Sequence, residues 1–262
     1  MALSEDLIQQ LSDQLLEAEK TCRPIDPISE KFKDLSYQDV YSVQLRSIRK
    51  KVQSGAVVVG KKIGLTSRGM QAQFHIDEPD YGIIVDKAVF REGKPFPTRQ
   101  LILPRIEAEI AFLLREDLKG PRITVADVLK ATEGVIPAFE VIDSRIRDWK
   151  ITVKDSIADN ASNAAVILGG KITSPSDIDL RLTGLVLEKN GEMIATAAGA
   201  EVLGNPAQSV AWLANKLCEY DIALQRGEFV MSGSLTRAAS VEPGSFFRAT
   251  FDRLGRVSVL FE

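Results

Sequence analysis

The chain has 262 residues, of which 26% are charged and 45% are hydrophobic, and its 33 basic and 36 acidic side chains give a net charge of −3. This composition is typical of a folded globular protein and excludes a disordered or fibrous chain. The nearly balanced charge argues against a nucleic-acid binder that depends on bulk positive charge.

Histidine and cysteine are scarce, since the chain contains only His75, Cys22 and Cys218. A structural zinc site takes about four such ligands close together, and a disulfide framework needs more cysteines, so both classes are excluded. A catalytic triad would have to use His75. If the protein binds a metal ion, its ligands are mostly oxygen atoms, which favours a hard cation such as Mg²⁺ or Mn²⁺.

The beginning of the chain is charged and amphipathic and shows no secretory signal. No apolar run approaches the ~18–20 residues that span a bilayer. The low cysteine content is typical of a reducing compartment. We therefore expect a cytoplasmic protein without membrane association.

The first part of the chain, residues 1–55, is predicted to be a small helical region. Apolar residues between Leu7 and Leu16 follow a helical period, with Ser4 as the N-cap. A second helix should begin at Ser36, where Ser36 and Asp39 resemble a capping box, and Gly55 should end it.

The rest of the chain, residues 56–262, is predicted to be a β-rich domain. The asparagine-glycine pair at 190–191 indicates a hairpin, because both positions of its turn require positive φ. Two helices should interrupt the strands, at 124–132 (capped by Thr124) and 207–220. The predicted strands are 56–64, 82–85, 106–114, 135–143, 164–168, 182–189, 192–198, 227–233, 246–251 and 256–261. The fold class is therefore α+β, with a mostly antiparallel β core.

Two glutamates, Glu107 and Glu109, occupy alternate positions of the predicted strand 106–114. They share one face, opposite an apolar face that runs from Ile106 to Leu114. Carboxylates at this spacing lie about 7 Å apart, so a cation between them would relieve their repulsion. The alternative is a half-buried strand with two solvated glutamates.

A third glutamate, Glu140, lies in the segment 135–143, which is apolar on both faces. Such a strand is usually interior, and an ionised carboxylate there needs a positive partner. Glu140 can protonate, pair with Arg145 or Lys150, or bind a metal ion. Three carboxylates on two strands fit an octahedral divalent site.

The segment 55–62 resembles a nucleotide-binding P-loop but fails its requirements. Its last position is Lys62 where the motif needs Ser or Thr, and three valines make its middle a strand. What remains is a lysine pair at a strand end. Lys62 shares a face with Gly60 and Gly64, where a ligand could approach; the alternative is that Lys61 and Lys62 are surface lysines.

Three weaker signals remain. Residues 78–82 (EPDYG) are typical of a turn, and a catalytic Asp80 is the second interpretation of this segment. Residues 159–163 (DNASN) form a polar loop before a strand. Residues 232–236 (SGSLT) either present backbone N–H groups to an anion or only turn the chain.

Five segments in order resemble one family. They are residues 61–67 (KKIGLTS), 78–82, 104–109 (PRIEAE), 139–145 (FEVIDSR) and 159–162. Together they are similar to the hydratase/decarboxylase family of meta-cleavage pathways, within the fumarylacetoacetate hydrolase superfamily. That family includes 2-oxopent-4-enoate hydratase, 2-oxohept-4-ene-1,7-dioate hydratase and 4-oxalocrotonate decarboxylase. The resemblance extends from about residue 39 to residue 261.

The resemblance implies a mixed β-roll-like core with the N-terminal helices packed on it. Glu107, Glu109 and Glu140 would ligate Mg²⁺ or Mn²⁺, and the metal would chelate the carboxylate and 2-oxygen of a 2-hydroxy-2,4-dienoate. Lys62 matches the family's active-site lysine, and Asp80 and Ser162 match residues that line the same pocket. A homo-oligomer is expected, with possible association with the partner enzyme of the pathway.

The resemblance favours a hydratase that forms a 4-hydroxy-2-oxo acid, with Lys62 and Asp80 sharing the roles of holding the substrate and moving protons. A 4-oxalocrotonate decarboxylase is the alternative, since it uses the same metal chemistry; decarboxylases tend to carry an apolar residue in place of Asp80. A C–C hydrolase would need His75 as its base. A non-catalytic binding subunit stays open, and Arg68, Arg145 and Arg237 are candidates for a distal carboxylate of the substrate.

Overall fold

The computed structural model describes residues 3–67, 69, 71, 72, 76 and 78–262. Its first part contains helices α1 (Glu5–Thr21), α2 (Ile28–Lys31) and α3 (Tyr37–Gln53). The Ser4 hydroxyl accepts a hydrogen bond from the Leu7 N–H at the start of α1, and Ser36 and Asp39 form a capping box at the start of α3. Both N-caps were predicted, whereas the single turn α2 was not.

The helices α1 and α3 pack against each other and against the β core. Ile8 and Leu11 of α1 and Val40 of α3 are buried in the same hydrophobic cluster as Phe112 and Phe139 of the sheet. Because this cluster is continuous, the helical part is packed on the β part as the resemblance implies. The division of the chain at residue 55 into two regions stays a prediction.

Twelve strands in the described part of the chain form two sheets. The strands are β1 (Val58–Gly64), β2 (Asp80–Val85), β3 (Val89–Arg91), β4 (Arg105–Leu114), β5 (Thr132–Ile142), β6 (Asn163–Leu168), β7 (Gly184–Lys189), β8 (Glu192–Ala198), β9 (Phe229–Met231), β10 (Ala239–Ser240), β11 (Phe246–Phe251) and β12 (Gly255–Leu260). The larger sheet has the order β2-β1-β9-β4-β5-β6-β3, with β10 paired to β4. Only the pairs β1–β9 and β3–β6 in it are parallel, which confirms a mixed, mostly antiparallel core.

The smaller sheet is antiparallel and has the order β12-β11-β7-β8. Strands β7 and β8 form the predicted hairpin, in which Asn190 and Gly191 have φ values of 54° and 86°. Phe247 and Phe251 of β11 are buried in the cluster that also contains Phe139 of the larger sheet. The two sheets therefore share one hydrophobic core.

Three helices follow residue 56 in the described part of the chain: α4 (Val125–Ala131), α5 (Val153–Ala158) and α6 (Pro206–Cys218). The prediction of two helices was therefore wrong, because it missed α5. A capping box of Thr152 and Asp155 begins this helix, and that signal was present in the sequence. The short strands β3 and β10 were also missed. None of the described helices is long and apolar enough to cross a membrane.

The strands of the larger sheet bury side chains on both faces. Phe112 of β4 and Phe139 of β5 belong to the main cluster, whereas Ala111 and Ala138 belong to a smaller cluster. Successive residues of a strand point to opposite faces, so Glu107, Glu109 and Glu140 lie on the side of the smaller cluster. The fold therefore places three carboxylates on one largely buried face.

Candidate metal centre and active site

The three glutamates come together at the centre of the larger sheet. Glu107 on β4 lies directly opposite Glu140 on β5, and Glu109 is two residues further along the same face. Each of them offers a carboxylate oxygen within 4.8 Å of the oxygens of the other two. Glu109 and Glu140 are 1% and 0% exposed. The alternative of two solvated glutamates is therefore wrong for Glu109.

Burial makes this cluster hold protons when it has no cation. Desolvation raises the pKa of Glu107 to about 7, against the lowering effect of the Lys62 charge, and the Glu140 charge raises it further. The pKa of Glu109 is raised well above its usual value by burial and by the charges of Glu140 and Glu107. Negative charges confined to one buried site favour a multivalent cation.

Lys62 supplies the positive charge beside the cluster. Its Nζ lies 2.8 Å from Glu140 Oε2 and donates a hydrogen bond of 2.8 Å to the Ala161 carbonyl. Burial lowers the pKa of Lys62, but the carboxylates around it, Glu140 above all, raise it more, so the side chain is a buried ammonium at neutral pH. Both lysines of the pair are buried, and the surface alternative is therefore wrong.

The charged partners expected for Glu140 are engaged elsewhere. Arg145 pairs with Asp159, and the exposed Lys150 lies 3.8 Å from Asp148. Lys62, which lies on a strand far away in the sequence, takes their place next to Glu140. The sequence showed that Glu140 needs a partner but did not show which one, because strand order decides it.

Backbone and amide N–H groups orient two of the carboxylates. Asn163 Nδ2 donates a hydrogen bond of 2.8 Å to Glu140 Oε1, and the Gly233 N–H donates one of 2.8 Å to Glu109 Oε2. The Gly233 contact fits the hypothesis that residues 232–236 present N–H groups to an anion. Asn163 was missed as a site residue, although it stands at the end of the polar segment 159–163. Such hydrogen bonds fix carboxylates for metal binding.

Asp80 enters the site from the start of β2, directly opposite Gly64 on β1. It is 2% exposed, and its Oδ2 accepts a hydrogen bond of 3.2 Å from the Ser156 hydroxyl. A Cβ on Gly64 would come within 2.2 Å of Asp80 Oδ1, so the carboxyl needs glycine there. Burial raises the pKa of Asp80, while the charge of Lys62 lowers it. Asp80 is therefore a buried strand residue, not a turn residue.

Ser162 lies in a tight turn between α5 and β6. Asn160, Ala161 and Ser162 have φ values of 55°, 50° and 55°, a conformation that costs non-glycine residues roughly 1–2 kcal/mol each. The Asn160 side chain bonds the N–H and the carbonyl of Ile83 on β2. The Ser162 hydroxyl is buried and has no hydrogen-bond partner among the described residues, so it is available to a ligand.

The donor set fits a hard divalent cation. All three ligand candidates are carboxylates, and Glu140 Oε2 makes an ion pair but no hydrogen bond within the described ranges. Carboxylate oxygens suit Mg²⁺ and Mn²⁺. Lys62 pairs with Glu140, and the charge of Asp80 affects the pKa of Glu107. His75 and Arg68 lie outside the described residues, and Arg237 is exposed.

Comparisons with known proteins identify the family of the chain. The model of the family described as fumarylacetoacetate (FAA) hydrolase C-terminal matches residues 56–260. The chain belongs to this family. It is 45% identical to a 2-hydroxypent-2,4-dienoate hydratase of Pseudomonas putida over 84% of this chain and 100% of that protein. It is 41% identical to the 2-oxo-hept-4-ene-1,7-dioate hydratase of Escherichia coli over 96% of each chain.

Among solved structures of the family, the chain is similar to a 4-oxalocrotonate decarboxylase from Pseudomonas putida G7, complexed with magnesium and adipate. The TM-score is 0.97 at 38% sequence identity, over 100% of this chain and 99% of that chain. The fold and the family expected from the sequence are therefore confirmed. The roles of the individual site residues stay predictions.

Proposed function

We propose that this protein is a metal-dependent hydratase that adds water to a 2-hydroxy-2,4-dienoate and forms a 4-hydroxy-2-oxo acid. The observation that carries this proposal is the buried cluster in which Glu107, Glu109 and Glu140 meet beside the Lys62 ammonium. Two relatives support it: the 2-hydroxypent-2,4-dienoate hydratase at 45% identity and the 2-oxo-hept-4-ene-1,7-dioate hydratase at 41%. The enzyme class is a lyase.

Glu107, Glu109 and Glu140 would hold Mg²⁺ or Mn²⁺. When bound, the ion supplies Lewis acidity to the carboxylate and the 2-oxygen of the substrate. Asn163 and the Gly233 N–H fix the directions of Glu140 and Glu109. These two hydrogen bonds use one oxygen of each carboxylate, and the second oxygen of Glu140 faces the Lys62 ammonium.

Lys62 acts as a hydrogen-bond donor and a fixed positive charge. Its raised pKa keeps it protonated at neutral pH, so it is a poor general base. Its ammonium can stabilise negative charge on the 2-oxygen while water adds to the conjugated system. The sequence left the roles of Lys62 and Asp80 exchangeable; this charge favours Lys62 as the donor.

Asp80 is the proton carrier in this proposal. Burial raises the pKa of Asp80 above its usual value, against the lowering effect of the Lys62 charge, which favours a role in proton transfer. Asp80 would deliver a proton to C5 of the dienoate while the 2-hydroxyl loses its proton, which gives the conjugated 2-oxo-3-enoate. Asp80 would then take a proton from the water that adds at C4, and a proton added at C3 replaces the one lost from the 2-hydroxyl. The free Ser162 hydroxyl would orient that water.

A 4-oxalocrotonate decarboxylase is the second candidate, and the match to the solved decarboxylase favours it. That reaction needs a pocket for a second carboxylate. Arg145 does not supply it, because its guanidinium makes four hydrogen bonds to Asp143, Asp159 and Asn163. A buried acid such as Asp80 is useful for adding water, so the hydratase remains the better proposal.

The test is a product assay on three dienoates, two monocarboxylates of different length and one dicarboxylate, with Mg²⁺, with Mn²⁺ and with a chelator. We expect metal-dependent loss of the dienoate absorbance and formation of a 4-hydroxy-2-oxo acid. Glu140→Gln should abolish it, whereas Glu133→Gln, which changes an exposed glutamate of the same strand, should not. Release of carbon dioxide from 4-oxalocrotonate without hydration of any dienoate would refute the hydratase.

We also propose that the protein forms a homo-oligomer. The edge strand β8 supports this, because Met193 and Ile194 on it are 65% and 44% exposed and no lysine or proline protects it. Light scattering coupled to size-exclusion chromatography tests the mass. A monomer at micromolar concentration would contradict the proposal.

A further inference from the structure

The segment 159–163 delivers three groups to the site. The Ala161 carbonyl accepts a hydrogen bond from Lys62 Nζ. The Ser162 hydroxyl is buried without a partner among the residues described. Asn163 Nδ2 bonds Glu140 Oε1. The position of this one segment therefore affects the lysine, the hydroxyl and one metal-ligand candidate together.

The segment needs support from outside, because its conformation is unfavourable by itself. Three consecutive non-glycine residues, Asn160, Ala161 and Ser162, have positive φ. L-residues avoid this region, and such geometry persists only where the surrounding structure imposes it. The support must therefore come from contacts with the neighbouring elements.

Arg145 provides most of this support. Its Nε bonds the Asp159 carboxylate, and one terminal nitrogen bonds the Asp159 carbonyl. The other terminal nitrogen bonds the carbonyls of Asn163, at 3.0 Å, and of Asp143. The Arg145 N–H also bonds Asp159 Oδ2 at 2.9 Å. One buried guanidinium thus holds both ends of the segment, and Asp159 balances its charge.

We propose that Arg145 is a positioning residue for the reaction. It acts by holding the turn that carries Ala161, Ser162 and Asn163, and not by touching the substrate. Only a planar fork of donors can bond three carbonyls and a carboxylate in fixed directions, so lysine cannot replace it. This inference rests on the proposed function and names a further residue on which that function depends.

The test compares Arg145→Lys with Glu228→Gln. The control breaks another buried ion pair, Lys61–Glu228, whose side chains are 6% and 10% exposed, against 5% and 1% for Arg145–Asp159. Both variants are assayed at a temperature where circular dichroism shows them folded. Three readouts are measured: kcat and KM, hydrogen exchange of the amides of residues 159–163, and Mn²⁺ affinity.

In Arg145→Lys we expect kcat to fall at least about tenfold with KM within about threefold of wild type. The amides of the segment should exchange faster. Glu228→Gln should keep kcat within about threefold, because its ion pair does not contact the segment. Wild-type kcat or unchanged exchange in Arg145→Lys, or an equal loss of kcat in the control, would overturn the proposal.

Failure of the proposed function gives a different result. If the wild-type protein turns over none of the dienoates, the hydratase proposal fails, and Mn²⁺ affinity decides the role of Arg145. Arg145→Lys should then weaken Mn²⁺ binding at least about tenfold, because Asn163 no longer fixes Glu140. Unchanged Mn²⁺ affinity would show that Arg145 does not position the site.

Discussion

Binding of a divalent cation should release protons from this protein, because the carboxylate cluster holds them near neutral pH. Burial raises the pKa of Glu107 from 4.5 to about 7. This difference corresponds to about 3 kcal/mol between the two protonation states. Burial and the charges of Glu140 and Glu107 raise the pKa of Glu109 in the same direction.

The raised pKa of Glu107 determines how the stability of the protein changes with pH. Between about pH 4.5 and 7 the folded, metal-free protein binds more protons than the unfolded chain, so its stability falls as the pH rises through this range. A bound cation requires ionised ligands. The apparent metal affinity should therefore rise about tenfold per pH unit for each proton displaced below pH 7.

The assay is calorimetric titration of Mn²⁺ at several pH values in two buffers that differ in ionisation enthalpy, which gives the number of protons released. Glu140→Gln should move the pH dependence to lower pH, because the charge of Glu140 raises the pKa of both Glu107 and Glu109. Glu133→Gln should leave it unchanged. An affinity that does not vary between about pH 5.5 and 8, without proton release, would refute this reasoning.

Three further predictions follow from single contacts. Lys62→Met should lower kcat at least about 100-fold and leave Mn²⁺ binding intact, because it removes the ammonium donor and keeps a side chain of similar length. Retained turnover in a kinetic assay would contradict the role of Lys62. Gly82→Ala should lower both kcat and Tm, because its Cβ would lie 2.7 Å from the Asn160 carbonyl oxygen and 3.1 Å from Lys62 Cγ. The control Gly184→Ala, where a Cβ meets nothing within 4 Å, should change neither kcat nor Tm. A normal kcat in Gly82→Ala would contradict this prediction. Ser36→Ala should lower the free energy of unfolding by about 1 kcal/mol in urea denaturation, because the α3 capping box is lost, and a fall in kcat with it would show that α3 affects the site.

Much of the fold could be predicted because local signals agree with it. Alternation placed Glu107 and Glu109 on one face of β4, and the apolar surroundings of Glu140 indicated its burial. The N-caps Ser4 and Ser36 and the hairpin at 190–191 were also predicted. The helix α5 was missed, although Thr152 and Asp155 form its capping box, because it is too short to show a period.

The partners of the buried charges could not be predicted. Lys62 and Glu140 are far apart in the chain and lie on strands that β9 and β4 separate in the sheet, so only the tertiary arrangement brings them into contact. Arg145, which is near Glu140 in the sequence, turns to Asp159 instead. Spacing along a strand indicates which face a residue occupies, but not which strands surround it.

The sequence by itself determined the local elements, the shared face of two carboxylates and the need of a third for a positive partner. Hydrophobic periodicity and capping are local properties, so they can be read without the fold. Only the tertiary structure decided that Lys62 is this partner, that Gly233 and Asn163 orient the ligands, and that residues 160–162 adopt positive φ. These features depend on strand order and on distant contacts such as those of Arg145, which local sequence does not encode.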